Sequence, residues 1–386
     1  MNRCQPLRVG VAGLGRAAAL MVPDLARSDS TRVVAVATPD AGQAERAEEL
    51  LGCRSYRSVT EMCQDDQVEL VYVATPHELH CAHACSALAA GKHVLIEKPM
   101  ALSVADCETI AGRARQAGRA VLVGPSFGSL PGVLLMREIA SSGRYGHPRL
   151  CTVFSYSDFV YRPRRREELV SKEAGGVILS QMSHQVDMVF TIVGLRSPVA
   201  VDLVPGNWDP QRPMTGAYVA VLRFADDFGA SLIYSGYGRA GRTSGDRWGA
   251  QGDREMLRRV SSEQERYMKD GRAFLAGSGF LGGSRRAANF ARVVVHLEGA
   301  DMVLERGSVK VIDDASEQTI RVDNSLRAAH RRAIKEMVGV IRGAEEAIHD
   351  GRFGTEVVRT CSAGVLSGAS RHAVAVPPVP LEEIVP

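Results

Sequence analysis

Lys98 closes the apolar run Val94-Leu95-Ile96 inside the tripeptide Glu97-Lys98-Pro99, downstream of a strand-like segment, Leu7 to Ala12, that runs into Gly13-Leu14-Gly15. A lysine at the C-terminal end of a parallel strand stands on the edge where open parallel sheets hold their ligands. Its ammonium group can donate to a substrate hydroxyl, or carry that proton away once desolvation or a neighbouring cation lowers its pKa. Beside a dinucleotide-type glycine turn, such a group points to hydride transfer. A plain surface salt bridge between Glu97 and Lys98 is the competing reading of the tripeptide alone.

In Gly13-Leu14-Gly15-Arg16-Ala17-Ala18 the first glycine permits a tight turn, and the second lets the backbone approach a pyrophosphate at a helix N-terminus. Ala18 is small enough for helix and strand to pack closely. Taken alone, a glycine turn can serve chain reversal only. The end of the second strand, where an acidic residue would read a ribose 2'-hydroxyl, falls on Thr38, followed by Pro39 and Asp40. A threonine hydroxyl suits a ribose hydroxyl or a phosphate, so these residues are compatible with NAD or NADP.

The elements that must position these groups follow from the pattern of apolar runs. Leu7–Ala12, Val33–Ala37, Leu70–Ala74, Val94–Ile96 and Ala120–Val123 read as strands, and the intervening segments 16–27, 41–51, 80–90 and 104–117 read as helices. Strands alternating with helices at this spacing predict a doubly wound parallel sheet over residues 1–124. After Gly124 the rhythm changes. Leu150–Tyr156, Ala217–Phe224, Ala230–Tyr237, Arg292–Glu298 and Ser308–Ile312 read as strands, with helices over Val133–Ser141, Gln181–Val193 and Ser325–Asp350. Residues 125–386 are therefore expected to form an α+β domain with a large, mostly antiparallel sheet, and the glycine- and arginine-rich stretch 238–290 an irregular excursion from it.

At 386 residues the chain exceeds the size at which one hydrophobic core stops growing, which predicts two domains. With 45% hydrophobic and 24% charged residues it reads as an ordinary globular protein, and a net charge of +3 gives no argument for nucleic acid or membrane partners. No apolar stretch approaches the roughly 20 residues that span a bilayer, and the first residues lead directly into a strand, so a cytoplasmic location is expected. Eight cysteines are too sparse for a disulfide scaffold and read as thiols, mostly packing residues. His77, His80, Cys81, His83 and Cys85 are metal-like by type, but their spacing scatters them around a turn and a helix, and no metal is expected. Tyr161-Arg162-Pro163-Arg164-Arg165-Arg166 sets four arginines in five positions. Arginine forks match carboxylates in a bidentate way, so Arg162 and Arg164 are candidates for holding a carboxylated small-molecule substrate, the alternative being a solvated loop balanced by Glu167 and Glu168.

Thr75-Pro76-His77-Glu78-Leu79-His80, Gly91-Lys92-His93-Val94-Leu95-Ile96-Glu97-Lys98-Pro99 and Val123-Gly124 occur in order behind the glycine turn. Together they resemble the Gfo/Idh/MocA oxidoreductase family over the whole first domain. The resemblance implies a nicotinamide-binding Rossmann domain followed by an open-sheet domain. It implies a dinucleotide site built from Gly13, Gly15, Arg16, Ala17, Thr38, Thr75, Pro76, His80, Glu97 and Lys98, with Lys98 catalytic. The family's Gly-Gly-x-x-x-Asp-x-x-x-His pattern is matched by Gly175 to His184 except that Ser180 replaces the aspartate, and His184 thereby takes the role of general acid/base. Ser180 and His184 lie one helical turn apart, so a continuous α-helix would turn both side chains the same way. Because Ser180 cannot act as a base at neutral pH, the family's usual sugar or polyol chemistry is placed in doubt.

Ser180-Gln181 ahead of His184, with the Tyr-Arg-Pro-Arg run, resembles the branch containing phthalate 4,5-cis-dihydrodiol dehydrogenase. That branch implies oxidation of a carboxylated cis-dihydrodiol to a catechol, with Arg162, Arg164, Ser180, Gln181 and His184 on the substrate side and NAD, or NADP, as cofactor. Sugar or polyol oxidation, and nicotinamide sensing without turnover, are the alternative readings. The family also implies a homo-oligomer, dimer or tetramer, paired through exposed sheet faces.

Overall fold

The computed structural model describes residues 5–157, 159–161, 176–210, 212, 214–238 and 291–377. They gather into two compact units, one built from the residues up to Pro131 with Asn324–Thr355, the other from Gly132 onward but without that returning segment.

In the first unit six strands, β1 (Leu7–Ala12), β2 (Thr31–Ala37), β3 (Arg54–Tyr56), β4 (Leu70–Val73), β5 (His93–Ile96) and β6 (Val121–Val123), form one sheet in the order β3-β2-β1-β4-β5-β6. Every pairing is parallel. Parallel sheets are covered on both faces, and the sequence shows it: all four residues of β4 are buried, and Val9, Val11, Val94 and Ile96 are 0% exposed. The intervening helices are α1 (Arg16–Arg27), α2 (Ala41–Leu51), α3 (Val59–Cys63), α4 (His80–Ala89) and α5 (Val104–Ala117). Asp40, Ser58 and Ser103 cap the starts of α2, α3 and α5, and Gly52 and Gly118, both at φ +60°, end α2 and α5.

The helix Leu326–Ile341 joins this unit from far along the chain. Its Ile334, Met337 and Val338 share one core cluster with Met21, Val22 and Leu25 of α1. Each such side chain contributes about 2 kcal/mol through burial. Beside that core, the Asp24 carboxylate forms ion pairs with Arg327 (3.1 Å) and with His330 (2.8 Å). A second buried pair, Glu336 with His349 at 3.0 Å, anchors the stretch whose His349 carbonyl accepts from Val123 N at the end of β6. The single helix expected over Ser325–Asp350 thus ends at Ile341, where Gly343 at φ +67° turns the chain. A further helix, Gly351–Ser370, was not anticipated. Its glycines lower intrinsic helix propensity, but Gly364 and Gly368 are where Leu203 packs, so tertiary contact overrides the local preference.

The second unit carries a nine-stranded sheet made of β7 (Pro148–Tyr156), β8 (Ala200–Gly206), β9 (Ala217–Arg223), β10 (Gly229–Ser235), β11 (Arg292–Leu297), β12 (Asp301–Leu304), β13 (Ser308–Ile312), β14 (Glu317–Arg321) and β15 (Val374–Ala375). Their order is β14-β13-β12-β11-β7-β10-β9-β8-β15. Only β7 with β10 is parallel and every other pairing is antiparallel, as the sequence predicts for a mostly antiparallel sheet. Burial alternates along β11, with Val293 and Val295 inward. On the opposite face Val204, Val219, Val221 and Leu150 are 67%, 49%, 42% and 41% exposed, and Val204 lies across from Val219 in the register. The α/β architecture expected from the sequence is the one observed.

Candidate active site

Because all six strands of the first unit run the same way, the turns after β1, β2, β4 and β5 fall on one edge of the sheet. Those turns carry Gly13 and Gly15, Thr38, Thr75 and Pro76, and Glu97 and Lys98 respectively. The strand order reverses direction between β1 and β4, the switch point at which doubly wound sheets bind ligands.

Gly13 sits at φ +86°, and a Cβ there would stand 2.9 Å from the Ala74 carbonyl oxygen and 3.0 Å from Thr75 Cγ2, so the β1 and β4 turns touch. Gly15 is the N-cap of α1 and offers no side chain to its amides, and the first turn holds no acidic residue. Arg16 and Ala17 open the helix, and Ala18 is fully buried against the sheet. A helix start that no side chain caps fits the pyrophosphate of a dinucleotide. Thr38 Oγ1 donates to Gln43 Oε1 (3.1 Å) and accepts from Asp40 N (3.3 Å), while Asp40 Oδ1 accepts from Gln43 N (2.9 Å). Thr38 and Asp40 therefore build the cap of α2, and the Asp40 carboxylate lies exposed at that corner.

On the β4 turn Pro76 opens a short 3-10 turn, and Thr75 Oγ1 lies 3.0 Å from His83 Nδ1. His80 is 0% exposed and ties two turns together, with Nε2 2.9 Å from the Thr75 carbonyl and Nδ1 2.9 Å from the Pro99 carbonyl. Burial holds this ring below the ordinary histidine range against the pull of those carbonyls. Glu97 accepts a 2.5 Å hydrogen bond from Tyr72 Oη, donated out of the core by a side chain that is 0% exposed. Burial pushes the Glu97 carboxyl up, opposed by the Tyr72 hydrogen bond and by the charges of Lys98 and His330. Lys98 is half-buried at the end of β5, and its bond to Pro99 is cis. Sequence reading missed Tyr72 as the partner of Glu97, since a tyrosine inside an apolar run reads as core.

In the second unit the expected helix over Gln181–Val193 begins instead as a π turn, Ile178–Met182, followed by the α-helix Ser183–Val193. Ser180 lies in the π turn and its Oγ donates to the Gly176 carbonyl (2.8 Å), whereas half-buried His184 lies in the first turn of the α-helix. The regular one-turn spacing between these two residues is thereby replaced by a widened turn, a distortion frequent at functional sites. Gln181 is buried, at 8% exposed. Gln185, also missed, is 0% exposed and locks the helix to the sheet: Nε2 donates to the Ile233 carbonyl (2.9 Å), and Oε1 accepts from Tyr218 Oη (2.7 Å). A glutamine within an apolar helical run was the available signal. Tyr218 in turn stacks on Tyr234 (5.7 Å), whose hydroxyl meets Ser157 Oγ at 2.7 Å. Arg162, Arg164 and the stretch 239–290 lie outside the described residues.

The described cysteines are all free thiols. Burial pushes Cys53 up to about 11 and Cys151 up to about 12, which suits packing rather than nucleophilic chemistry. Among the described residues no helix is long and apolar enough to cross a membrane.

Comparison with known proteins decides the family. Residues 7–125 match the oxidoreductase family with an NAD-binding Rossmann fold, GFO_IDH_MocA, and residues 133–258 match the GFO/IDH/MocA C-terminal domain. This chain belongs to the Gfo/Idh/MocA oxidoreductases. Its first unit is that family's NAD-binding domain, and the bare glycine turn and uncapped α1 fit the cofactor. Over 374 residues, covering 92% of this chain and 94% of the relative, it is 31% identical to the 1-carboxy-3-chloro-3,4-dihydroxycyclohexa-1,5-diene dehydrogenase of Comamonas testosteroni. It is 30% identical over 178 residues, 46% of this chain and 53% of the relative, to the trans-1,2-dihydrobenzene-1,2-diol dehydrogenase of Mus musculus. A solved structure from Bordetella bronchiseptica RB50 superposes with a TM-score of 0.85 at 30% identity, covering 96% of this chain and all of that one. Levoglucosan dehydrogenase, solved with NADH and levoglucosan, shares the fold, with a TM-score of 0.76 at 18% identity, covering 97% of this chain and all of that one.

Proposed function

We propose that this NAD-dependent oxidoreductase oxidises a carboxylated cis-dihydrodiol of the phthalate type to a catechol. The observation that carries this reading is the likeness, along nearly the whole chain, to a relative named for a carboxylated cyclohexadiene diol. The replacement of the family's aspartate by Ser180 and the arginine-rich run from Arg162 support it.

In this reading Lys98 donates to the substrate hydroxyl and orients the alcohol, and His184 takes the hydroxyl proton. Arg162 and Arg164 hold the carboxylate in bidentate fashion, and Ser180 and Gln181 line the substrate side. Bound NAD supplies the hydride acceptor. Loss of hydride from the carbinol carbon and of the proton from its oxygen leaves a hydroxy-dienone, which tautomerises to the aromatic catechol and makes the oxidation strongly downhill. The Asp40 carboxylate beside Thr38 suits a ribose hydroxyl better than a 2'-phosphate, which favours NAD over NADP. The free thiols suit a cytoplasmic enzyme. A second copy of the chain covers the exposed face around Val204, Val219 and Val221, giving a homo-oligomer.

Reduction of NAD by purified protein, measured against carboxylated cis-dihydrodiols, inositol and aldoses, tests the substrate class. Turnover of the carboxylated diols is expected, and equal or better rates with polyols would overturn the proposal. Lys98→Met should lower turnover by about a hundredfold or more, the scale of a lost proton-transfer group, while NADH affinity measured by fluorescence stays nearly intact.

A further inference from the structure

The helix Ser183–Val193 carries apolar side chains on every side, among them Val186, Met188, Val189, Phe190 and Ile192, and each of its residues except half-buried His184 is buried. Apolar contact alone does not choose how such a helix is rotated about its axis, because one face packs about as well as another. Directional polar bonds do choose. They matter more here because the chain enters the helix through the widened turn Ile178–Met182 instead of a regular α-helical one.

Gln185 supplies such bonds. Its Nε2 donates to the Ile233 carbonyl of β10 at 2.9 Å and lies 3.5 Å from the Val153 carbonyl of β7, while Oε1 accepts from Tyr218 Oη of β9 at 2.7 Å. These three strands are consecutive in the sheet, so one amide spans the order β7-β10-β9. Tyr218 is itself held, because it stacks on its register partner Tyr234 at 5.7 Å, and the Tyr234 hydroxyl meets Ser157 Oγ at 2.7 Å. Rolling or sliding the helix would break bonds that are shielded from water, at a cost that apolar repacking does not return. His184 precedes Gln185 and lies about 100° from it around the axis. With Gln185 turned to the sheet, His184 falls on the part of the helix surface that stays partly open.

We propose that Gln185 is a positioning residue: gripped by Tyr218 and the Ile233 carbonyl, its amide fixes the rotation and slide of the helix on the sheet and so sets where the His184 imidazole stands. The inference rests on the role proposed for His184. It assigns to a buried glutamine, which touches neither substrate nor cofactor in this reading, control over the placement of the base.

Variants of the full-length protein test it, with circular dichroism to establish that each is folded. Gln185→Met keeps the length of the side chain and removes its polar end; it should lower kcat by about tenfold or more, as a reacting group misplaced by about 1 Å costs up to about a hundredfold, with NADH affinity within about twofold of the parent. Tyr218→Phe deletes only the hydroxyl, is the milder change, and should lower kcat in the same direction. Val189→Ala, one turn along the same helix at a residue 0% exposed, removes packing without touching the polar bonds. It should lower the urea midpoint and leave kcat close to that of the parent. In a His184→Ala background Gln185→Met should reduce the residual turnover no further, because a residue that acts through the base has nothing left to place. An unchanged kcat in Gln185→Met and Tyr218→Phe, an equal loss in Val189→Ala, or an undiminished effect in the His184→Ala background overturns the inference. If His184→Ala itself turns over as fast as the parent, the role proposed for the histidine has failed instead, so the two failures are distinguishable.

Discussion

Gly13 and Gly15 differ in a way that separates folding from ligand approach. At Gly13 the backbone is at φ +86° and a Cβ would meet the Ala74 carbonyl at 2.9 Å, so Gly13→Ala strains the turn whatever is bound. We expect it to cost about 1–3 kcal/mol in chemical denaturation and to weaken NADH binding. At Gly15 the nearest atom to an added Cβ is the Ala74 carbonyl oxygen at 3.9 Å, an ordinary contact, so Gly15→Ala should leave stability within about 0.5 kcal/mol of the parent. If NADH affinity nevertheless falls in Gly15→Ala, the methyl group is blocking the ligand; unchanged affinity would mean that the pyrophosphate does not approach there. The glycine turn after β1 and the place of Lys98 at the end of β5 were legible because apolar runs mark the strands and the residues that close them. Tyr72 and Gln185 were not, since their roles depend on partners reached across neighbouring strands, Glu97 in one case and Tyr218 with Ile233 in the other.

Among the elements, the helix Leu326–Ile341 depends on buried polar pairs as much as on its apolar face. Glu336 accepts from Ile348 N (2.8 Å) and His349 N (2.9 Å) as well as pairing with the His349 ring. Burial alone would raise its pKa, but the His349 interaction and the two amides together hold it below 4.5. A carboxyl depressed in the folded state adds stability above its unfolded pKa and loses it as pH falls through the folded value. Glu336→Gln should therefore destabilise the protein by about 3 kcal/mol at neutral pH, and its deficit in urea unfolding should shrink as the pH is taken below 4.5. A deficit that is the same at acid and neutral pH would refute the assignment. In the second unit Gln185→Ala should cost about 1–3 kcal/mol, because the buried Tyr218 hydroxyl and Ile233 carbonyl lose their partner. The strands carrying long apolar alternation were readable in advance. Strands β8, β12 and β14 and the helix Gly351–Ser370 were not: β14 is largely polar and half of β8 faces outward, so the pattern that identifies a half-buried strand is weak. The π turn before His184 has no sequence signature at all.

At the scale of the molecule, the nine-stranded sheet exposes Val204, Val219 and Val221 on one face, a face that no other described residue covers. With a second copy in place, Val219→Lys/Val221→Lys should keep the far-ultraviolet circular dichroism of the parent and shift the mass in solution, measured by light scattering, toward the monomer. A parent protein that is already monomeric would remove the proposal. The two-part architecture was predictable from length and from the change of rhythm after Gly124, but the return of Asn324–Thr355 to the first unit was not, because a helix carries no label for the core it will join. That return has a consequence for biosynthesis. Ile334, Met337 and Val338 complete the core that α1 begins, so a nascent chain has made its nucleotide-binding turns long before it can seal them. With about 300 residues between α1 and Ile334, at roughly 5–20 residues per second the wait is on the order of 15–60 s, during which the hydrophobic side of α1 is bare to chaperones, and ribosomes halted in that interval would release a product unable to close its first domain.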